Sequence, residues 1–364
     1  MNCITFFAGA GGLDMGIHNA GFDVRMCLEI EDKYCETLRI NHPDWNVVNG
    51  DIMDLTAADV LRLSNIEENE EIDLMAGGSP CQSFSTQGKR QSFADPRGQA
   101  MLKYIDLVME LQPRVFLLEN VKGLLSAALE HRPLSERGGD NPPLTDNELP
   151  GSALRFLLDR IDGYNVEVHT VNAANYGVPQ KRERVFIIGV RADIHQRFIM
   201  PPHTHSKDGI DLPRWITLRE VLKEVDGTVQ KHTFTPYSPS RLRFMKMIPQ
   251  GGGCWRDLPE ELQPEALGGA YNSTGGRIGF FRRLKIDEPS PTLLTSPSQN
   301  STNLGHPFED RPLSVEEYLA IQGFPYNYVL NGSTAAKYVQ IGNAVPVQMA
   351  YAIAKGIFEF LEQL

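Results

Sequence analysis

The sequence predicts an α/β protein: a doubly wound, mostly parallel sheet with a second, smaller irregular domain. Three observations carry that prediction. Short apolar runs alternate with amphipathic segments over residues 1–190. Nearly every apolar run there ends in a glycine or a chemically useful polar residue. From 191 to 310 the pattern changes to glycine, proline, serine and basic residues, and helical periodicity returns only at the C-terminus. The changes divide the chain into 1–190 plus 325–364 for the sheet domain and 191–324 for the smaller one.

Taken in order, Ile4–Phe7 is the first strand and ends at Ala8-Gly9-Ala10-Gly11-Gly12. An amphipathic helix follows over Leu13–Ala20 and stops at Gly21, as helices often do. Val24–Leu28 is the next strand, Lys33–Asn41 the next helix, and Trp45–Val48 leads into Gly50-Asp51-Ile52. Ile72–Ala76 runs into Gly77-Gly78-Ser79-Pro80-Cys81, and a helix over Met101–Leu111 precedes the strand Val115–Leu118. Arg155–Ile161 and Val185–Val190 continue the alternation, and Leu313–Gln322 and Gln348–Phe360 are helical. His131–Pro150 is polar, with two glycines and four prolines, and reads as an exposed excursion.

Composition excludes several classes. With 41% hydrophobic and 22% charged residues the chain is neither disordered nor fibrous. Its five cysteines are scattered without a Cys-x-x-Cys pair, which argues against a disulfide framework or zinc ribbon and for a reducing cytosol. Met1–Gly16 lacks the basic residues of a signal peptide, and no uninterrupted apolar run is long enough to span a bilayer. The net charge of −11 argues at first against a nucleic-acid partner. Its distribution argues the other way: residues 191–286 hold 15 basic and 10 acidic residues, against 20 and 36 in the remainder.

The strand endings carry the chemistry. In an open α/β sheet the carboxyl ends of the strands line one ligand crevice. The glycine loop after the first strand lets backbone approach a ligand. It is not the dinucleotide fingerprint, because the third glycine is replaced by Asp14. Glu29 ends the second strand, where a carboxylate can accept both ribose hydroxyls, and Asp51 after the third could accept from an adenine amino group. Together they suggest an adenosine ligand without a pyrophosphate, S-adenosylmethionine before a nicotinamide. Cys81 stands where a nucleophile would be placed. No residues with metal-ligand spacing surround it, so no metal is expected. Glu119 closes a very apolar strand, and desolvation there would raise its pKa toward that of a general acid. Arg182 and Arg184 alternate along one strand, so both guanidiniums are expected on one face.

In combination these motifs resemble the DNA (cytosine-5) methyltransferases of bacterial type, nearly end to end and in the family's order. Phe7–Gly12 is similar to the cofactor loop, Pro80-Cys81-Gln82 to the nucleophile motif and Glu119-Asn120-Val121 to the acid motif. Gln180-x-Arg182-x-Arg184 resembles the arginine motif. Arg311-Pro312-Leu313-Ser314 with Gln322-Gly323-Phe324-Pro325 resembles the segment that closes the target-recognition domain, and Gln340–Pro346 the motif that returns to the cofactor. The resemblance implies a Rossmann-like methyltransferase fold and methylation of a flipped-out cytosine in a specific double-stranded DNA sequence through a covalent Cys81 adduct. Glu119, Arg182 and Arg184 would complete the catalytic set. S-adenosyl-L-methionine would be held by Phe7, Gly9, Ala10, Gly11, Gly12, Glu29, Ile30, Asp51, Ile52, Pro80, Asn343 and Val345.

Gln82–Gly98 resembles a mobile loop over DNA, with Gln82, Ser85 and Arg97 as contacts. The basic segment adds Arg241, Arg243, Lys246, Arg256, Arg277, Arg282 and Arg283 as candidates for phosphate or base contact. The expected setting is the bacterial cytosol and nucleoid, as a monomer. There it would be the modification enzyme beside a restriction endonuclease that makes no stable contact with it, or an orphan or phage counterpart. The chain departs from the family in two places: Thr5 stands where an acidic residue is frequent, and Glu31 where aspartate is commoner. A tRNA methyltransferase on the same fold would carry Cys-Phe-Thr where this chain has Thr233-Phe234-Thr235. A non-catalytic DNA-binding descendant would usually have lost one of the catalytic residues, and a nicotinamide oxidoreductase explains neither Cys81 nor the arginines.

Overall fold

The computed structural model describes residues 1–80, 92–139, 141–273 and 277–364. The chain forms two units. One comprises Met1–Asn172, Glu183–Pro202 and Ala350–Leu364, and the other Ala173–Arg182 and His203–Met349. These bounds lie elsewhere than the composition changes at 190/191 and 324/325 suggested. Arg191 to Pro202 stays with the sheet because the Arg191 guanidinium pairs with Glu71 and Asp193 and donates to the Gln112 carbonyl. Residues 325–349 stay with the second unit, where the Tyr338 hydroxyl donates to the Leu313 carbonyl at 2.7 Å.

Among the described residues of the first unit, seven strands form one sheet. They are β1 (Asn2–Phe6), β2 (Asp23–Glu29), β3 (Val47–Asn49), β4 (Leu74–Gly78), β5 (Val115–Val121), β6 (Tyr164–Asn172) and β8 (Glu183–Arg191); the two-residue β7 (Gln180–Lys181) belongs to the other unit. Their order is β3-β2-β1-β4-β5-β8-β6. β1 to β5 run parallel, and β8 runs antiparallel to both neighbours. β1 is flanked by β2 on one side and β4 on the other, so the winding reverses there and the strand ends open a crevice at that point. The sequence reading missed β6. Its Val166, Val168 and Val171 are separated by polar residues, as suits a half-exposed edge strand and unlike the continuous apolar runs of its buried neighbours.

The helices of this unit are α1 (Gly12–Asn19), α2 (Asp32–Asn41), α3 (Ala57–Ser64), α4 (Pro96–Leu111) and α5 (Ser152–Leu158). α3 starts with a reciprocal Thr56–Asp59 capping box, and α4 with Asp95 as cap and proline in its first turn. The core joins Ile4, Phe6, Met26, Met75, Phe116 and Leu118 of the sheet to Met101, Ile105 and Val108 of α4.

The second unit holds α6 (Leu218–Thr228), α7 (Pro239–Met245), α8 (Gln263–Leu267), α9 (Val315–Gln322), α10 (Thr334–Asn343) and the pair β7·β9, where β9 is Ser290–Pro291. A separate core gathers Tyr237, Phe244, Met245, Ile248, Trp255, Leu258, Leu267 and Phe281. Short turns dominate elsewhere, as the Gly/Pro-rich composition implied. The final helix, α11 (Val347–Glu362), belongs to the sheet unit from Ala350 onward. The stretch Thr334–Glu362 is long and apolar enough by composition to cross a membrane. It is interrupted between α10 and α11, and more than half of its apolar window is buried, as in the core of a globular unit.

Candidate active site

The glycine loop follows β1 and is held in shape at every step. Phe7 has φ +60°, a conformation that costs a non-glycine residue energy and that persists where surroundings enforce it. Gly9 and Gly11 also adopt positive φ, at +58° and +84°, where a Cβ would be strained. The Ala8 N–H donates to the Leu28 carbonyl at 3.1 Å and the Gly11 N–H to the Ala8 carbonyl at 2.8 Å. Glu29, at the end of β2 and only 6% exposed, accepts from the Gly9 N–H at 2.7 Å and from the Glu31 N–H at 2.8 Å. Its pKa is raised, chiefly by burial, against the lowering effect of those backbone donors. The sequence reading reserved Glu29 for a ligand; here it also ties the loop to β2, with further lone pairs on each oxygen.

The segments that follow β2 and β3 carry apolar side chains. Ile30 is 60% exposed and Met53 46% exposed, while Ile52 is buried. Asp51 caps the turn Ile52–Asp54 by accepting from the Met53 N–H at 2.9 Å. The Phe7 ring lies 6.4 Å from that of Tyr104, and a Cβ on Gly77 would come within 3.3 Å of it. Ala10 and Gly12 are buried in the turn into α1. Met53 was not among the sequence candidates, since one exposed methionine two residues after an aspartate has no pattern to mark it.

The ends of β4 and β5 are neighbours in register, Gly78 opposite Glu119. The buried Asn120 side chain donates to the Ser79 hydroxyl at 2.9 Å and to the Ser79 carbonyl at 3.3 Å. Its own carbonyl oxygen accepts from the Val121 N–H at 2.8 Å. This pins the chain two residues before Cys81. Cys81, Gln82 and Ser85 themselves lie outside the described residues. Pro80 is half-buried. Glu119 is 6% exposed, and the Arg184 guanidinium reaches it from β8, Nε to Oε1 at 2.9 Å. The acid is thus desolvated, as the apolar strand implied, but as one half of an ion pair.

Two expectations change here. Arg182 precedes β8 and is held differently from Arg184. It is 1% exposed, and its Nη atoms donate to the carbonyls of Leu293 at 3.1 Å and Gly342 at 2.9 Å. The strand alternation on which the shared face rested starts only at Glu183. Likewise the later part of the segment expected as a loop, Gln82–Gly98, is ordered: Ser92–Ala94 is a 3₁₀ turn and α4 starts at Pro96, while residues 82–91 lie outside the described residues. Arg97 in the first turn of α4 makes a two-pronged pair with the Asp95 carboxylate, both contacts at 2.8 Å, with its side chain half exposed.

Within the second unit, motifs far apart in sequence form one buried network. Gln180 donates to the Gln322 side-chain oxygen at 2.9 Å and accepts from the Leu293 N–H at 2.9 Å. Gln322 donates onward to the carbonyls of Ile341 at 2.7 Å and Ala344 at 3.1 Å. Arg182 completes the ring through Leu293 and Gly342. Asn343 ends α10 on the surface, and Val345 is buried two residues on.

The seven basic candidates separate into two groups. Arg283 is 2% exposed, and its guanidinium donates to the carbonyls of Ile248, Met245, His306 and Glu309 and pairs with Asp310. Arg241 is spread over Ser298, Gln299, Asn300 and Asn303, and Arg282 donates to the Asn303 carbonyl at 3.1 Å. These three hold loops together, which a sequence count of charges cannot reveal. Lys246, Arg243 and Arg256 are exposed, Arg243 paired with Glu265. Arg256 and Arg277 both lie over the Trp255 ring, at 5.7 and 5.1 Å.

Comparison with known proteins identifies the family. The family model for C-5 cytosine-specific DNA methylases matches residues 1–135 and 154–359. The chain is 39% identical to the type II methyltransferase M.Sau96I of Staphylococcus aureus over its whole length and 76% of that protein. It is 37% identical to M.Eco47II of Escherichia coli over 99% of this chain and 79% of the relative. Among solved structures, S. pombe Dnmt2 methyltransferase superposes with a TM-score of 0.60 at 15% identity, covering 99% of each chain, a likeness of fold. With a family match spanning most of its length and relatives of such identity, the chain belongs to the C-5 cytosine-specific DNA methylases and is a DNA cytosine-5 methyltransferase.

Proposed function

We propose that the protein methylates carbon 5 of a cytosine flipped out of a specific double-stranded DNA sequence, using S-adenosyl-L-methionine and a transient covalent bond to Cys81. The single observation that carries this reading is the buried Glu119–Arg184 pair on β5 and β8, beside the end of β4 that leads to Cys81. A base inside the stack cannot present its ring to such a site, so the base must leave the duplex. The Cys81 thiolate then adds to ring carbon 6. Glu119, oriented by Arg184, shares a proton with ring N3 and so carries the charge that this addition moves onto the ring. Once carbon 5 carries the methyl group that the cofactor would supply, loss of the carbon-5 proton and expulsion of the thiolate restore the aromatic ring and free the enzyme. Arg182 acts at a distance, by fixing the backbone at Leu293 and Gly342.

The residues present fit the cofactor. Glu29 offers a buried carboxylate at a strand end, beside a loop whose backbone is already shaped, and Ile30 and Met53 offer exposed apolar surface for a purine. When bound, S-adenosylmethionine supplies an electrophilic methyl group. Glu29 would take the ribose hydroxyls, Asp51 the adenine amino group, and Phe7, Gly9–Gly12, Ile30, Ile52, Pro80, Asn343 and Val345 the remaining contacts. Residues 191–310 would read the DNA, with the exposed Lys246, Arg243 and Arg256, and Arg277 over the Trp255 ring, as candidate contacts. The protein acts in the bacterial cytosol as a monomer, in the modification half of a restriction–modification system.

Duplex DNA carrying 5-fluorocytosine in the target traps such an enzyme, because the carbon-5 substituent cannot leave. With S-adenosylmethionine present, an adduct should form with the wild-type protein and be absent with Cys81→Ser, which should still bind cofactor. An adduct on the Cys81→Ser protein would overturn the mechanism. Bisulfite sequencing of DNA from cells expressing the protein identifies the target.

A further inference from the structure

Beneath the glycine loop lies a carboxyl group that no step above uses. Asp14, in the first turn of α1, is 1% exposed. Its Oδ1 accepts from the Thr5 hydroxyl of β1, and its Oδ2 is buried with no hydrogen-bond partner among the described residues. Among the described residues its neighbours are Cys3 and Thr5 from β1 and Cys27 and Glu29 from β2, and the main groups that act on it include no cation. Thr5 Oγ1 also lies 3.2 Å from the Met26 carbonyl oxygen, so the three elements that carry the loop meet at this group.

A carboxylate buried without a cation is costly, and packing alone would be served as well by a neutral side chain. The loop above it is proposed to hold a sulfonium, a permanent cation whose charge vanishes when the methyl group leaves. In a low dielectric, charges on neighbouring groups interact strongly even without contact. We propose that Asp14 is an electrostatic positioning residue of the cofactor loop, favouring the cationic methyl donor over its neutral product. The inference rests on the function proposed above and deepens it: the site would be built to release product as well as to bind cofactor.

Burial raises the Asp14 pKa to about 6, against the lowering effect of the Thr5 and Cys27 side chains. Its folded-state pKa therefore lies above its unfolded value of 3.8. The folded protein binds the extra proton between those values, so Asp14 favours folding at low pH and progressively less as pH rises to about 6. At neutral pH the ionised group costs stability, which a merely structural residue would not be expected to do.

The test is calorimetric titration of the full chain, wild type and Asp14→Asn, with S-adenosylmethionine and with S-adenosylhomocysteine, alongside thermal unfolding. Asn keeps an acceptor for Thr5 and removes only the charge. The expected result at pH 7.5 is cofactor binding weakened about ten-fold, product binding changed by less than about two-fold, and a melting temperature that is unchanged or higher. The wild-type preference for cofactor should shrink as pH falls through about 6, and the variant should show no such step. If Asp14→Asn weakens both ligands alike, or lowers the melting temperature with the binding ratio intact, Asp14 is structural and the inference fails. If the wild-type protein binds neither ligand, the cofactor reading itself has failed.

Discussion

At the scale of single residues, the ion pair of Glu119 and Arg184 separates chemistry from stability. Glu119→Gln keeps an acceptor for the Arg184 Nε–H but cannot share a proton with the base. Turnover should fall roughly 10²–10⁴-fold with little change in unfolding midpoint. A change of only a few-fold would make Glu119 a structural partner. Arg184→Ala should act differently. Both side chains are nearly buried, at 12% and 8% exposure, so removing the guanidinium takes the ion-pair partner from a buried carboxylate. Stability should drop by about 3 kcal/mol in urea denaturation as well as activity falling. Of this pair the sequence revealed the acid and both arginines. Which arginine faces the acid depended on where β8 begins, one residue after Arg182, and local periodicity does not resolve a boundary that fine.

Among elements, the sheet shows why some segments were legible and others not. β1, β2, β4 and β5 are apolar on both faces, because helices cover a parallel sheet, and their runs stand out. The edge strand β6 and the helix α6 did not stand out in a search for continuous apolar runs. Yet α6 carries Leu218, Val221, Leu222 and Val225 at helical spacing behind a Thr217–Glu220 capping box, so its pattern was present in the sequence. Gly189 belongs to the same scale. It lies opposite Phe116 in the β5–β8 pairing, and a Cβ there would sit 2.0 Å from the Phe116 ring. Gly189→Ala should cost roughly 1–3 kcal/mol of stability by overpacking. Titration of the folded fraction should find cofactor affinity unchanged, since the strand ends are distant along the pairing; loss of affinity without loss of stability would contradict this.

For the whole molecule, the charge contrast predicts where DNA recognition resides, and the structure refines which residues can take part. Exposed Lys246 or Arg256, replaced by alanine, should weaken binding to all duplexes alike and flatten its salt dependence by about one unit of slope if they contact phosphate. Arg283→Ala should instead unfold the loops it ties together, visible as a lower melting temperature with no DNA present. Exchange of residues 203–310 for the matching segment of a relative with a different target should retarget methylation. An active chimera that still modifies the original site would show that specificity lies elsewhere.

The sequence by itself determined the fold class, the order of the strand endings and the identity of Glu29, Asp51, Cys81 and Glu119 as groups of interest. These are local properties: apolar runs, glycine turns and polar residues at fixed offsets within one segment. Only the tertiary structure decided what many of the charged groups are bound to. Arg182 became a brace for Leu293 and Gly342, Arg283 a clamp, and Asp14 a buried charge below the loop. A charged residue in a sequence can equally be an ion pair, a donor to carbonyls or a free surface group. The choice among these is made by residues more than a hundred positions away, such as Gly342 for Arg182, which enter its surroundings only when the chain folds.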